Sequence, residues 1–170
     1  AIAGVISDSD AMRLVVIRAN AMANAAAEHP TSMAAILGGD PSEVALTVAE
    51  MGLQIANHNG AGQLVAAGEK SQIASLIASP PVKSRVIELK VAGAFHTHYM
   101  DSARHELAEA VKEVEVLDPI MQLWSNVDGQ ICNSGQGFLS SLVSQVTSPV
   151  RWDLCMASLP EEQFDFIELP

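Results

Sequence analysis

Aromatic residues make up only 4% of this 170-residue chain, cysteines number two, and nine Lys and Arg stand against 20 Asp and Glu. Each shortage excludes something. With a formal net charge of -11, cations scattered from Arg13 to Arg151 and few rings to stack on bases, the chain lacks the footprint of a nucleic-acid binder. Cys132 and Cys155 make neither a disulfide framework nor a Cys-x-x-Cys pair, so the expected compartment is reducing and cytoplasmic. No apolar run approaches the roughly 18 residues of a membrane span; Arg13 and Arg18, for instance, bracket the run Leu14 to Ile17. What is abundant is small and aliphatic: 49% of residues are hydrophobic, the composition of a packed core rather than a disordered tail. The length allows one domain, or one domain carrying a small inserted subdomain.

Hydrophobic spacing then divides the chain. Ser7 and Asp10 form a capping-box-like pair before a helix over about 8–27, with Ala11, Val15, Ala19, Met22 and Ala26 on one stripe, ended near His29-Pro30. A shorter rhythm follows: a strand at 33–37, a Gly38-Gly39-Asp40-Pro41 turn, a helix at 42–51, strands at 53–57 and 63–67 around Asn59-Gly60-Ala61-Gly62, a helix at 70–78 and a strand at 85–91. That order is the ferredoxin-like βαββαβ pattern. Beyond it, the spacing predicts a helix over 101–114 burying Ala103, Leu107 and Val111. It also predicts a buried strand at 120–127, helices at 138–146 and 152–159, and a strand at 164–169. The expectation is an α/β domain, residues 1–30 and 92–170, interrupted by a small subdomain over 31–91.

Three features could carry chemistry. Arg18 sits in a helix among Val15, Val16, Ile17 and Ala19; it reads either as a charge snorkelling at the edge of an amphipathic helix or as a planar fork held to grip a carboxylate. Gly93-Ala94-Phe95-His96-Thr97-His98 follows a predicted strand and precedes a helix, where ligands gather in α/β folds. His96 reads as a general base or as a structural histidine. The spacing of His96 and His98, with Asp101 or His105 beyond, admits a metal, but no Cys or Glu stands at ligand spacing beside them, and no metal is expected. Asn57-His58-Asn59 and Gln145, taken singly, satisfy local backbone as readily as they touch a substrate.

Their order carries more than any one of them. Val16-Ile17-Arg18, Met33 to Gly38, Asn57-His58-Asn59-Gly60-Ala61-Gly62-Gln63-Leu64-Val65, Gly93-Ala94-Phe95-His96, Ser125-Asn126-Val127-Asp128-Gly129 and Gln145 to Trp152 together resemble the malonyl-CoA:acyl carrier protein transacylases and the acyltransferase domains of fatty-acid and polyketide synthases. The resemblance implies an α/β-hydrolase-like large subdomain with a ferredoxin-like small one. It also implies a serine ester intermediate, whose Gly-x-Ser-x-Gly elbow is absent from the 170 residues and is expected upstream of Ala1. Both ends look cut, and the fragment alone is expected to be inactive.

By the same resemblance, His96 is the catalytic histidine, Gln145 orients it, and Arg18 grips the malonyl carboxylate. Asn59 and Gln63 line the cleft, and Phe95, in an Ala-Phe-His phrase like that of malonyl-selective domains, narrows the space for an α-methyl group. No cofactor is implied beyond malonyl-CoA as substrate and the phosphopantetheine of the partner. That partner is an acidic acyl carrier protein, which an acidic chain must meet through a local basic patch: Lys83, Arg85, Lys90 and Arg151 are the candidates. Other readings are an acyltransferase domain of a multidomain synthase and a non-catalytic relative that only binds a carrier protein.

Overall fold

The computed structural model describes residues 1–159. Its elements run α1 (Asp8–Glu28), β1 (Thr31–Gly38), α2 (Pro41–Glu50), β2 (Gln54–Gly60), β3 (Gln63–Glu69), α3 (Lys70–Ala78), β4 (Ser84–Glu88), α4 (Asp101–Ala110), α5 (Gly135–Ser144), β5 (Val150–Arg151) and α6 (Trp152–Ser158). The expected strand at 164–169 lies outside the described residues.

Five strands form one mixed sheet in the order β4-β1-β3-β2-β5. Each neighbouring pair among the first four is antiparallel, and β5 joins the edge parallel to β2, Asn57 facing Val150 and His58 facing Arg151. Asp40 caps α2 by accepting from the Ser42 and Glu43 amides, with Pro41 in the first turn, where its missing N–H costs nothing. The inward residues of α2 and α3 (Val44, Val48, Ile73, Leu76) close one face of the sheet over Ala34, Ile36 and Ala66. Six successive residues of β1, Thr31 to Ile36, are buried, so the sheet is covered on its second face too. There Met33, Ala56, Val65 and Ala67 pack against Ala94, with Phe95 and Tyr99 at the margin. The loop that leads to His96 is therefore docked on the sheet.

The flanking residues pack as helices. Leu14, Ala21, Met22 and Ala25 of α1 meet Met100, Ala103 and Leu107 around α4, joined by Leu139 and Val146. Ser7 caps α1 as its spacing predicts, its hydroxyl accepting from the Asp10 amide at 3.0 Å and donating to the Asp10 carboxylate at 2.7 Å. The buried stripe differs from the expected one: Val15 and Ala19 face out, and Leu14, Ala21 and Ala25 face in. α1 is apolar on more than one side, so periodicity alone leaves the buried face open, and contact with α4 selects it.

Other expectations fail more plainly. Residues 120–127 form no strand; the segment makes one bridge, Trp124 to Ile131, and its neighbouring amides reach the first turn of the chain, Leu117 to the Val5 carbonyl and Ile120 to that of Ala3. The run is apolar enough for a strand, but the turn around Gly129, at φ +70°, folds it back on residues 130–132 instead of leaving it free to pair with the sheet. α4 stops at Ala110 and continues as a short 3-10 turn, β4 stops at Glu88, and α5 begins at Gly135, capped by Ser134. Among the described residues no helix is long and apolar enough to cross a membrane.

Candidate active site

His96 stands at the end of the docked loop with φ +60°, in the left-handed region that L residues enter at a cost of about 1–3 kcal/mol. The loop is fixed on both sides of the residue. The Ala94 amide donates to Thr31 Oγ1 at 3.0 Å, and the Thr97 hydroxyl donates to the Ala94 carbonyl at 2.6 Å and accepts from the Tyr99 amide at 3.3 Å. Farther on, the His98 ring and amide both engage Gln54 Oε1, at 2.8 and 3.3 Å, and the ring stacks against Tyr99.

The imidazole meets the C-terminal end of α5. His96 Nδ1 lies 2.9 Å from the Gln145 main-chain carbonyl oxygen, which can only accept, so Nδ1 carries the proton and Nε2 keeps its lone pair. The Gln145 side-chain amide lies 3.1 Å from the same Nδ1. Two N–H groups cannot bond to each other, so the amide oxygen belongs at that position. Burial lowers the titration of His96 below its ordinary value, the Gln145 carbonyl opposes that shift, and the positive charge of Arg18 adds to it. The neutral, basic form of the ring is thus favoured.

Arg18 is half-buried, and burial lowers its own titration. Arg13, Arg104 and Arg151 each face carboxylates: Arg13 meets Asp10 and Glu113, Arg104 meets Asp101, and Arg151 holds Asp153 through two bonds of 2.9 and 2.8 Å. Among the described residues Arg18 makes no such pair. A half-buried guanidinium without an anion, within electrostatic reach of an uncharged imidazole, is a place for an anionic group close to a base.

The other expected site residues are less gathered. Phe95 is half-buried between the helical core and the sheet core and touches both. Asn59 and Gln63 flank the β2–β3 hairpin tip, at the opposite end of β2 from the Gln54 that holds His98. Gln63 lines a cavity of about 140 Å³ with His58, Gly38, Gly39 and Asp153. Gln145 lines a separate one of about 280 Å³ with Trp124, Phe138, Val150 and Trp152. Lys83 and Arg85 lie beside Gly38 and Leu37, at the far end of β1 from Thr31 and the His96 loop, while Lys90 follows Leu89, whose amide bonds the Met33 carbonyl. Arg151 is exposed to solvent only in part and is held by Asp153. Among the described residues no three His, Cys, Asp or Glu side chains lie together as metal ligands would.

Some of the site escapes sequence reasoning. Thr31 is one threonine among several, with no local signal of its role. Thr97 stands inside the His-rich phrase but is overshadowed by its neighbours. The alignment of His58 beside Arg151 depends on a two-residue strand that no periodicity marks.

Comparison with known proteins bears on this arrangement. The family model described as acyl transferase domain matches residues 1–170. A malonyl CoA-acyl carrier protein transacylase of Mycolicibacterium smegmatis is 47% identical over 175 residues, which cover 100% of this chain and 60% of that protein. The crystal structure of MCAT from Mycobacterium tuberculosis superposes with a TM-score of 0.90 at 47% identity, over 93% of this chain and 52% of that one. A malonyl-transacylase solved in complex with the acyl-carrier protein of a type II PKS gives a TM-score of 0.79 at 31% identity, over 88% of this chain and 50% of that one. The chain thus spans about half to three-fifths of the length of these relatives. Order of motifs, fold and family match agree: the chain belongs to the acyl transferase domain family.

Proposed function

We propose that these residues are part of an enzyme that moves a malonyl group from malonyl-CoA to the phosphopantetheine thiol of an acyl carrier protein in fatty acid synthesis. The observation that carries the reading is His96, its Nδ1 committed to the Gln145 carbonyl, close to an Arg18 that among the described residues pairs with no carboxylate. A serine hydroxyl from the remainder of the enzyme gives its proton to Nε2 as its oxygen bonds the thioester carbonyl carbon. The tetrahedral adduct collapses by breaking the carbon–sulfur bond, and the coenzyme A sulfur takes the proton back from the ring. In the second half the carrier thiol gives its proton to Nε2, its sulfur bonds the ester carbon, and the serine oxygen leaves with that proton. Such proton handling contributes about 10² to 10⁴ in rate.

Arg18 holds the malonyl carboxylate. A charge-assisted bond of about 1.5–3 kcal/mol, left unmade by an acetyl group, favours malonyl by about ten- to 150-fold. The Phe95 ring limits room for an α-methyl group, and Asn59 and Gln63 contribute cleft polarity. The order β4-β1-β3-β2 supports reading 31–91 as a ferredoxin-like small subdomain and 1–30 with 92–170 as part of an α/β-hydrolase-like large one. Arg151 being occupied by Asp153, attraction of an acidic carrier falls to Lys83, Arg85 and Lys90. The free thiols of Cys132 and Cys155 support a reducing, cytoplasmic setting. The test is malonyl transfer by the full-length protein: a His96→Ala variant should lose it, and transfer at the wild-type rate would refute the reading. Charge reversal at Lys83 and Arg85 should slow delivery to the carrier while leaving acylation by malonyl-CoA unchanged.

A further inference from the structure

We propose that Thr31, at the start of β1, is a positioning residue for His96, holding the imidazole through the Ala94 amide. The proposal rests on the reading of His96 as the base. Thr31 is 63 residues before Ala94 in sequence and belongs to the sheet, whereas His96 belongs to a loop that crosses it. Its hydroxyl accepts from the Ala94 N–H at 3.0 Å in a place where both residues are closed to solvent, Thr31 at 1% exposure and Ala94 at 0%.

Two residues on, the backbone turns through the left-handed region to aim the ring at α5. A non-glycine residue keeps such a conformation only where its surroundings over-determine it. Here they do: the Ala94 peptide is held at its nitrogen by Thr31 and at its carbonyl by Thr97, and Gly93 is pressed against α1 so closely that a side chain there would strike Ala26. Thr97 is local and travels with the loop. Thr31 alone among these hydroxyls ties the loop to the sheet, so it fixes where the loop stands as well as how it is bent.

Without the hydroxyl, a buried N–H loses its acceptor, and the loop must shift to find another. A misplacement of about 1 Å at a reacting group lowers rate by as much as about a hundredfold. Arg18 is on a different element and is untouched, so the change falls on turnover and not on malonyl-CoA binding.

The experiment uses the full-length protein with Thr31→Val, which keeps the branched shape and removes the hydroxyl, and Thr31→Ser, which restores it. Three quantities are read on samples shown by circular dichroism and thermal unfolding to be folded: kcat and KM for malonyl transfer, and the NMR titration of the His96 ring. Thr31→Val is expected to lower kcat about ten- to a hundredfold with KM within twofold. It should also move the His96 titration upward, because a displaced ring loses the burial that depresses it. Thr31→Ser should return both to wild type. A wild-type titration or a wild-type kcat in Thr31→Val overturns the proposal, as does a Thr31→Ser variant that behaves like the valine. Should Thr31→Val fail to fold, a Thr31→Ser variant with altered titration and kcat would overturn it, and an unaltered one together with an equal kcat loss and titration shift in Thr31→Cys, a weaker acceptor, would support it. Wild-type transfer that survives His96→Ala refutes the base assignment instead, and the titration then still decides whether Thr31 places the ring.

Discussion

Residues 31–91 and the segments that flank them solve different problems. The sheet with α2 and α3 meets its backbone needs internally and packs its inward aliphatic residues between strands and helices. The flanking segments hold Arg18, His96 and Gln145 on a helix, a loop and a helix end, and between α4 and α5 they run for some 20 residues with little regular pairing. Scaffold and proposed chemistry are thus largely separated, as expected where reactive groups need geometry that regular elements do not provide. The two are joined by hydrogen bonds from Thr31 to Ala94, Gln54 to His98 and β2 to β5, and by the packing of Ala94 on Met33, Ala56, Val65 and Ala67.

The sharpest way to test that division is to remove chemistry alone. His96→Ala in the full-length protein should cut malonyl transfer by about 10² to 10⁴ while shifting the unfolding midpoint little, because the ring is only half-buried. Transfer assays beside thermal melts check both halves. A large loss of stability would show that the reactive loop also holds up the fold.

The complementary change removes scaffold alone. Leu76 is fully buried against the sheet, and Leu76→Ala should cost about 2–5 kcal/mol in denaturant unfolding while leaving kcat of the folded enzyme near wild type. Equal damage to both would break the division. Arg18→Ala comes next, with an expected loss of about ten- to 150-fold in the ratio of malonyl to acetyl transfer, measured by competing the two thioesters. A retained ratio would remove Arg18 from carboxylate binding.

The smallest expected effect is on pH. His96 and His58 both titrate below the ordinary 6.5, each chiefly because of burial. Since the unfolded chain takes up protons first as pH falls, stability is full above about 6.5 and declines as pH drops from there through the lower folded values. Melting curves across that window should show the decline, reduced in His58→Gln. By the same sign, if His96 is the proposed base, the acid limb of kcat/KM should lie below 6.5, since a general base works in its neutral form.

The two regions also differ in how far the sequence reveals them. The small sheet is legible because each strand alternates with turn chemistry, as at Gly38-Gly39-Asp40-Pro41 and Asn59-Gly60-Ala61-Gly62, and those turns form where the residues demand them. Residues 120–127 mislead because aliphatic content measures burial, whereas a strand also needs a free neighbour to pair with. The buried face of α1 is ambiguous because alanines and valines occupy several of its sides. His96 and Arg18 stand out by residue type and order. Thr31 does not, since its role comes from a fold that brings position 94 to it.

The contact between His96 and Gln145 has a genetic consequence. Its acceptor is the main-chain carbonyl that every amino acid carries, so no single codon change at 145 deletes it. Side-chain scanning at 145 removes the side-chain amide that also stands beside Nδ1 and leaves the main-chain bond in place so long as the end of α5 does not move. The bond is vulnerable to changes of backbone path, and a proline in the last turn of α5, or a residue added within the helix, would do what loss of the Gln145 side chain does not.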